Sequence, residues 1–211
     1  MNTPADTPPA GTPAGQSTRG DRVDWTHELA EQLAWHWDNH LRPRMEGLTD
    51  DEYLWEPVPG CWTVRPRGHG TGPDLPGAVA AGSGDHVIDF AFPEPVPAPV
   101  TTIAWRLGHL VVGVFGMRNA SHFGGPADSY ETHDYPGTAA GALAQLDEAH
   151  ARWMAGITAL DAQALATPCG PAEGPFGHLP MATLVLHIHR EVIHHGAEIA
   201  LLRDLYLHRT R

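Results

Sequence analysis

The chain of 211 residues has no lysine; all 13 of its basic residues are arginine. A Schiff-base lysine, a P-loop lysine and a lysine general base are therefore excluded. Serine is scarce too, and none of Ser17, Ser83, Ser121 and Ser129 sits in a GxSxG elbow, which argues against a serine hydrolase. Only Cys61 and Cys169 carry thiols. They lack CxxC spacing and a paired His or Asp motif, so neither a disulfide framework nor a cysteine nucleophile is expected. No apolar run approaches the roughly 20 residues that span a bilayer, and no signal-peptide pattern is visible. The reading is a cytoplasmic protein with no membrane partner. Positive charge is also short, with 13 basic against 25 acidic residues and a net charge of −12. A nucleic-acid partner would need a basic face, so none is expected.

Residues 1–20 are nearly all Pro, Thr, Ala, Gly and small polar residues. Such a segment cannot bury enough apolar area to offset its ordering entropy, and a disordered tail is expected. Residues 21–211 remain as one domain. Its first helix is predicted to be capped by Asp24 and to run towards Met45, with Trp25, Leu29, Leu33, Trp37 and Leu41 recurring every fourth residue. A second, IAWRLGHLVVGVFGMRN, is capped by Thr101 or Thr102 and is apolar nearly all round. Its Gly108, Gly113 and Gly116 admit close neighbours. A third is expected over about 138–162, with Leu143, Leu146, Trp153, Ile157 and Leu160 inward, and a fourth over about 181–207. The Gly- and Pro-dense stretch 57–100 reads as a long irregular excursion in which CWTV and HVIDFAF are strands or extended loop. A second loop follows over 119–137. The predicted fold class is all-α: a four-helix bundle with long irregular excursions between helices 1 and 2 and helices 2 and 3.

The fourth helix holds the densest chemistry, LVLHIHREVIHHGAEIALLRDL. At about 100° per residue with His187 at zero, Leu184, Ile188, Val192, Ile199, Leu202 and Leu205 span an arc of about 0° to 140°. Glu191 falls near 40° and His195 near 80°, inside that stripe, whereas His189, Arg190 and His194 fall outside. A lone buried carboxylate is costly. Glu191 and His195 at i,i+4 either satisfy one another as a core pair or share a metal ion. His109 is ionisable in an otherwise apolar central helix that faces the same core. Two imidazoles and one carboxylate form a ligand set with an open position, suited to zinc or, as a facial triad, to non-haem iron.

The stretch TTIAWRLGHL, together with HxxxExxHHGAEIALLRDL, resembles the DinB/YfiT-like superfamily of metal-binding four-helix bundles. GLTDDEYLWEPVPGCWTVRPRG is similar to actinobacterial members, and the resemblance covers about 21–208. It implies one metal ligand from the second helix and two from the last at i,i+4, which by position are His109, Glu191 and His195. Glu at the first position of the last pair is similar to mycothiol-dependent maleylpyruvate isomerase, which binds zinc through two His and one Glu. The resemblance also implies a divalent metal (Zn²⁺, with Ni²⁺ or Fe²⁺ as alternatives), a low-molecular-weight thiol of the mycothiol type as cosubstrate, and a homodimer.

Other polar residues compete for roles. His36 and His40 share the face of Leu29 and Leu33 and are candidates to line the same cavity. His187, one turn before Glu191, is the substitute ligand, and Glu198, near 20°, is placed to orient a ligand imidazole. Arg106 and Arg203 are candidates to bind an anionic small-molecule substrate. The expected function is metal-dependent S-transfer to, or isomerisation of, a small electrophile, in a cavity shaped by the two excursions. The competing expectation is a non-enzymatic bundle with a structural or vestigial metal, acting in binding or stress response.

Overall fold

The short carboxylate of Asp24 accepts from His27 N at 3.2 Å and starts the first helix at Trp25. In the computed structural model, which describes residues 23–69 and 77–209, this helix α1 (25–44) passes through a wider π-type winding at Trp37–Leu41 and ends at Arg44. The predicted tail over 1–20 lies outside the described residues. Leu29, Leu33, Trp37 and Leu41 are buried as their spacing predicts, but Trp25 is 64% exposed, because cover begins only one turn later. Thr49 caps the short α2, Asp50–Tyr53.

The excursion corrects the all-α expectation: the chain is mostly helical, with a small sheet. Strands β1 (Val64–Pro66), β2 (Val79–Ala81) and β3 (His86–Phe90) pair antiparallel in the order β1-β3-β2, with Val64 opposite Ile88 and Ala81 opposite Ile88 on the other side. The centre of β3 is buried, which suits its β-branched Val87 and Ile88. The sheet lies against the next helix because Gly108 has no Cβ; one placed there would sit 2.9 Å from Ile88 Cδ1.

That helix, α3 (103–123), is capped by Thr102, whose Oγ1 accepts from Trp105 N at 3.2 Å. It contains a second π-type stretch, Leu110–Gly116, and ends at the left-handed Gly124. Helix α4, Ala139–Thr158, starts at its cap Thr138 and stops before the predicted end, since Asp161 caps a separate helix α5, Ala162–Ala166. Helix α6 runs from Met181 to His208. The four long helices α1, α3, α4 and α6 share one hydrophobic cluster that includes Leu33, Leu110, Leu146 and Ile188.

The buried arc of α6 is rotated from its expected centre. His189, placed outside by helical arithmetic, is 1% exposed, and Trp153 Nε1 donates to its Nε2 at 3.3 Å. The cause is Gly196, where a Cβ would lie 2.6 Å from Leu41 Cδ1, so α1 approaches that side of α6. Leu205 is exposed, and Glu191 moves to the edge of the stripe. Arg203 takes a structural place in this frame. It pairs with the buried Glu52 at 2.7 Å and donates to the Arg44 and Glu46 carbonyls, which fastens α6 to the turn between α1 and α2.

Two measurements follow from this packing. Arg203→Met leaves the Glu52 carboxylate buried and uncompensated. It is expected to lower the free energy of unfolding by roughly 3 kcal/mol in urea titrations without moving any ligand affinity. His150 of α4 stacks on Trp37 with ring centroids 3.6 Å apart. Burial pushes its pKa from 6.5 down to about 4, against the pull of Asp38 and Asp147. The folded value lies below the unfolded one, so this contribution to stability is complete above about pH 6.5 and is lost as pH falls towards 4. The free energy of unfolding from urea titrations across that window should fall by up to about 1.4 kcal/mol per pH unit from this residue. In His150→Leu that share of the slope should vanish.

Candidate functional site

Helical spacing places three aromatic or ionisable side chains on one face of α3. Trp105 and His109 are one turn apart and stack with centroids 5.2 Å apart, and Arg106 sits over the Trp105 ring. On α6 the same logic groups His187, Glu191, His195 and Glu198. The helices bring His109 and His195 together edge to face, with ring centroids 4.7 Å apart. Glu191 Oε2 lies 3.5 Å from His195 Nε2. These three residues line one cavity of about 740 Å³.

The hydrogen bonds around the two imidazoles leave each with one nitrogen free. His195 Nδ1 lies 2.7 Å from Glu198 Oε2, and Arg106 supports the same carboxylate oxygen at 3.1 Å. Arg106 also lies 3.2 Å from Nδ1. A guanidinium only donates and a carboxylate only accepts, so the two contacts ask for opposite tautomers. The shorter, charge-assisted one prevails: Nδ1–H donates to Glu198, while Arg106 donates to Glu198. His195 Nε2 then presents a lone pair towards Glu191. His109 Nδ1 meets the Tyr130 hydroxyl at 2.5 Å, leaving its Nε2.

Burial dominates the electrostatics. It lowers the His109 pKa to about 3, helped by the neighbouring His195, Arg106 and Arg118. It also lowers His195, overriding the hydrogen bond to Glu198 that favours the charged form. Both imidazoles are thus kept neutral, the state in which a nitrogen can ligate a metal. Burial raises the Tyr130 pKa, so its hydroxyl keeps its proton.

The cavity wall comes from the two excursions, as expected. Trp62, Phe90, Phe92 and Pro99 from the first and Tyr130 from the second line it, along with Trp105. Its charged residues are Arg106, Arg190, Glu94, Glu191 and Glu198. Three expected site residues lie elsewhere. His36 and His40 stack on each other at 5.8 Å, and His40 packs on Trp35, away from the cavity lining. Their face of α1 turns past the cavity because α1 packs on α4 and the Gly196 side of α6. His187 is bonded to Arg190 at 2.7 Å and lines a neighbouring cavity of about 360 Å³ with Cys169 and Phe176.

Among the described residues, the His, Cys, Asp and Glu side chains whose ligand atoms converge form a different group, which shares only His195 with the three residues above. His194, His195 and Glu198 offer ligand atoms that all lie within 4.8 Å of one another, so a His–His–Glu group able to hold a metal ion is present. His194 has a side chain 63% exposed, and helical arithmetic alone placed it off the stripe. Tyr130 and the aromatic wall escaped the sequence reading. Trp105 carried a usable signal, one turn before His109; Tyr130 on its loop and Phe90 at the end of β3 carried none.

No curated protein and no solved structure matches this chain. A family does: residues 32–199 match the DinB superfamily, a span that takes in α3, α4, the sheet and most of α1 and α6, with His109, Glu191, His194, His195 and Glu198 inside it. The chain therefore belongs to the DinB superfamily.

Proposed function

We propose that the protein is a divalent-metal-dependent enzyme in which His109, Glu191 and His195 hold the ion, zinc first and Ni²⁺ or Fe²⁺ as alternatives. The observation that carries this reading is the contact between His195 Nε2 and Glu191 Oε2 at 3.5 Å. With Nδ1–H committed to Glu198 and burial disfavouring the charged imidazole, Nε2 and the carboxylate are both acceptors, and a cation between them would satisfy both. His109 supplies the third donor from the facing helix. Within this set Glu198 is a positioning group: it keeps the proton on His195 Nδ1 and is itself fixed by Arg106.

Two imidazoles and one carboxylate leave coordination incomplete, as in catalytic rather than structural zinc sites. Held by His109, Glu191 and His195, a divalent ion would supply the positive charge that favours a thiolate at neutral pH. The chain's own side chains do the rest. Arg106 and Arg190 face the cavity as cations and suit the carboxylates of a low-molecular-weight thiol or of an anionic substrate. The aromatic wall of Trp62, Phe90, Phe92 and Trp105 covers the apolar part of a small electrophile and keeps water from it. S-transfer breaks the S–H bond and joins the sulfur to the electrophile, the proton going to the adduct in an addition or leaving with the displaced group in a substitution. Isomerisation adds the sulfur and then expels it, returning the thiol unchanged. The resemblance to mycothiol-using relatives supports the thiol, and a homodimer in the cytoplasm accompanies this reading.

Zinc titration against a chromophoric chelator tests the ligand set. His109→Ala and His195→Ala are each expected to weaken binding by roughly 100-fold or more, and Glu198→Gln by about 10- to 100-fold. His194→Ala should leave it unchanged. An equal loss in His194→Ala would instead place the ion on the outer group, and no uptake by the wild type would overturn the metal reading. The enzymatic step is tested by thiol consumption with the metal-loaded protein and an electrophilic probe. Metal binding without turnover across several thiols and metals would assign a non-enzymatic metal-binding role.

A further inference from the structure

Tyr130 sits on a loop, yet its ring is fixed on both sides. It stacks on Phe90 with centroids 4.3 Å apart, and its backbone carbonyl accepts from the Tyr135 hydroxyl at 3.2 Å. Its hydroxyl reaches His109 Nδ1 at 2.5 Å by entering a space on α3 that only a glycine leaves open. A Cβ at Gly113, one turn after His109, would collide with that hydroxyl and lie 3.1 Å from His109 Nδ1. Gly113 lies in the π-type stretch, where a helix-weakening residue is otherwise unwelcome. Its packing use is therefore specific: it admits one hydroxyl to one imidazole nitrogen.

A phenol both donates and accepts, whereas a neutral imidazole has one nitrogen of each kind. In the metal-free chain the stronger arrangement has the Tyr130 hydroxyl donating to the Nδ1 lone pair, with the His109 proton on Nε2. A nitrogen that carries a proton has no lone pair for a cation. We propose that Tyr130 is a positioning residue for His109, and that the hydrogen bond between them reverses on metal binding: Tyr130 donates to Nδ1 in the free protein and accepts from Nδ1–H once Nε2 becomes a ligand. No proton is gained or lost by this imidazole; it moves from Nε2 to Nδ1. The hydroxyl hydrogen, no longer held by the imidazole, becomes available at the cavity wall that Tyr130 forms. Gly113 is the permissive element of the device. The inference rests on the proposed His109–Glu191–His195 site and adds to it a partner that neither helix supplies.

The test combines histidine ¹⁵N spectra, with His109 assigned by comparison with His109→Gln, and zinc affinity by chelator competition. In the wild type the His109 proton is expected on Nε2 without metal and on Nδ1 with zinc. Tyr130→Phe keeps the stack on Phe90 and removes one oxygen. It should leave the metal-free His109 averaging between tautomers and weaken zinc binding about 10- to 100-fold. Gly113→Ala should reproduce both effects by evicting the hydroxyl, and the double variant should bind zinc no more weakly than Tyr130→Phe alone. Zinc affinity in Tyr130→Phe within twofold of the wild type, with the His109 tautomer unchanged, overturns the proposal while leaving the metal site standing. Failure of the metal site looks different: wild type and Tyr130→Phe alike take up no zinc, and the proposal falls with it.

Discussion

The hydrogen bond from His195 Nδ1 to Glu198, 2.7 Å long and backed by Arg106, is the constraint on which the site depends. It decides which nitrogen of a buried imidazole carries the proton, and so what the cavity sees. Without Glu198, Arg106 would donate to Nδ1, and Nε2–H would turn a donor towards Glu191. With Glu198 in place, the cavity floor presents a lone pair beside a carboxylate. The bond spans a single helical turn, but Arg106 comes from α3, so the state of α6 is set by the packing of two helices.

The excursion from 57 to 100 completes what the helices begin. Asp89, 2% exposed on β3, accepts from Thr63 N at 2.9 Å and pairs with Arg65, while its backbone carbonyl accepts from Trp105 Nε1 at 2.7 Å. Trp105 in turn stacks on His109. One strand residue thus links the sheet to the donor helix through an indole. The Pro-rich segment after β3 then extends over the cavity, carrying Phe92 and Pro99 into its lining. The irregular part of the chain is held to the regular part at the place where chemistry is positioned.

Much of the helical frame was legible because its signals are local. Asp24 caps the helix it was placed to start, Thr102 is one of the two residues placed to cap the second, the third begins within one residue of its expected start, and the every-fourth-residue stripe of α1 is buried from Leu29 to Leu41. Ideal winding misled where packing bent it. Gly196 draws α1 in, rotates the buried arc of α6, hides His189 and moves Glu191 to the edge. His36 and His40 sit where α1 widens into its π-type turn, and a straight-helix projection sends them to the wrong face. That His109, Glu191 and His195 face one cavity from two helices was legible in their spacing. Their hydrogen-bonded partners were not equally so: Glu198 lies within one helical turn, whereas Tyr130 reaches His109 across 21 residues of loop and helix.

That division bears on how one frame serves several reactions. The donors stand on long helices with a shared core, where a shift of one side chain costs packing on every side. The walls stand on loops, where substitutions cost little. A chain without lysine, in which burial lowers the basicity of His109 and His195, has few groups at this cavity able to activate a nucleophile by taking its proton. In the proposed reading activation falls to a cation held by the helices, and selectivity to Trp62, Phe90, Phe92 and the two arginines that line the same cavity. Membership of the superfamily therefore speaks to the donors, whereas the reaction must be read from the walls.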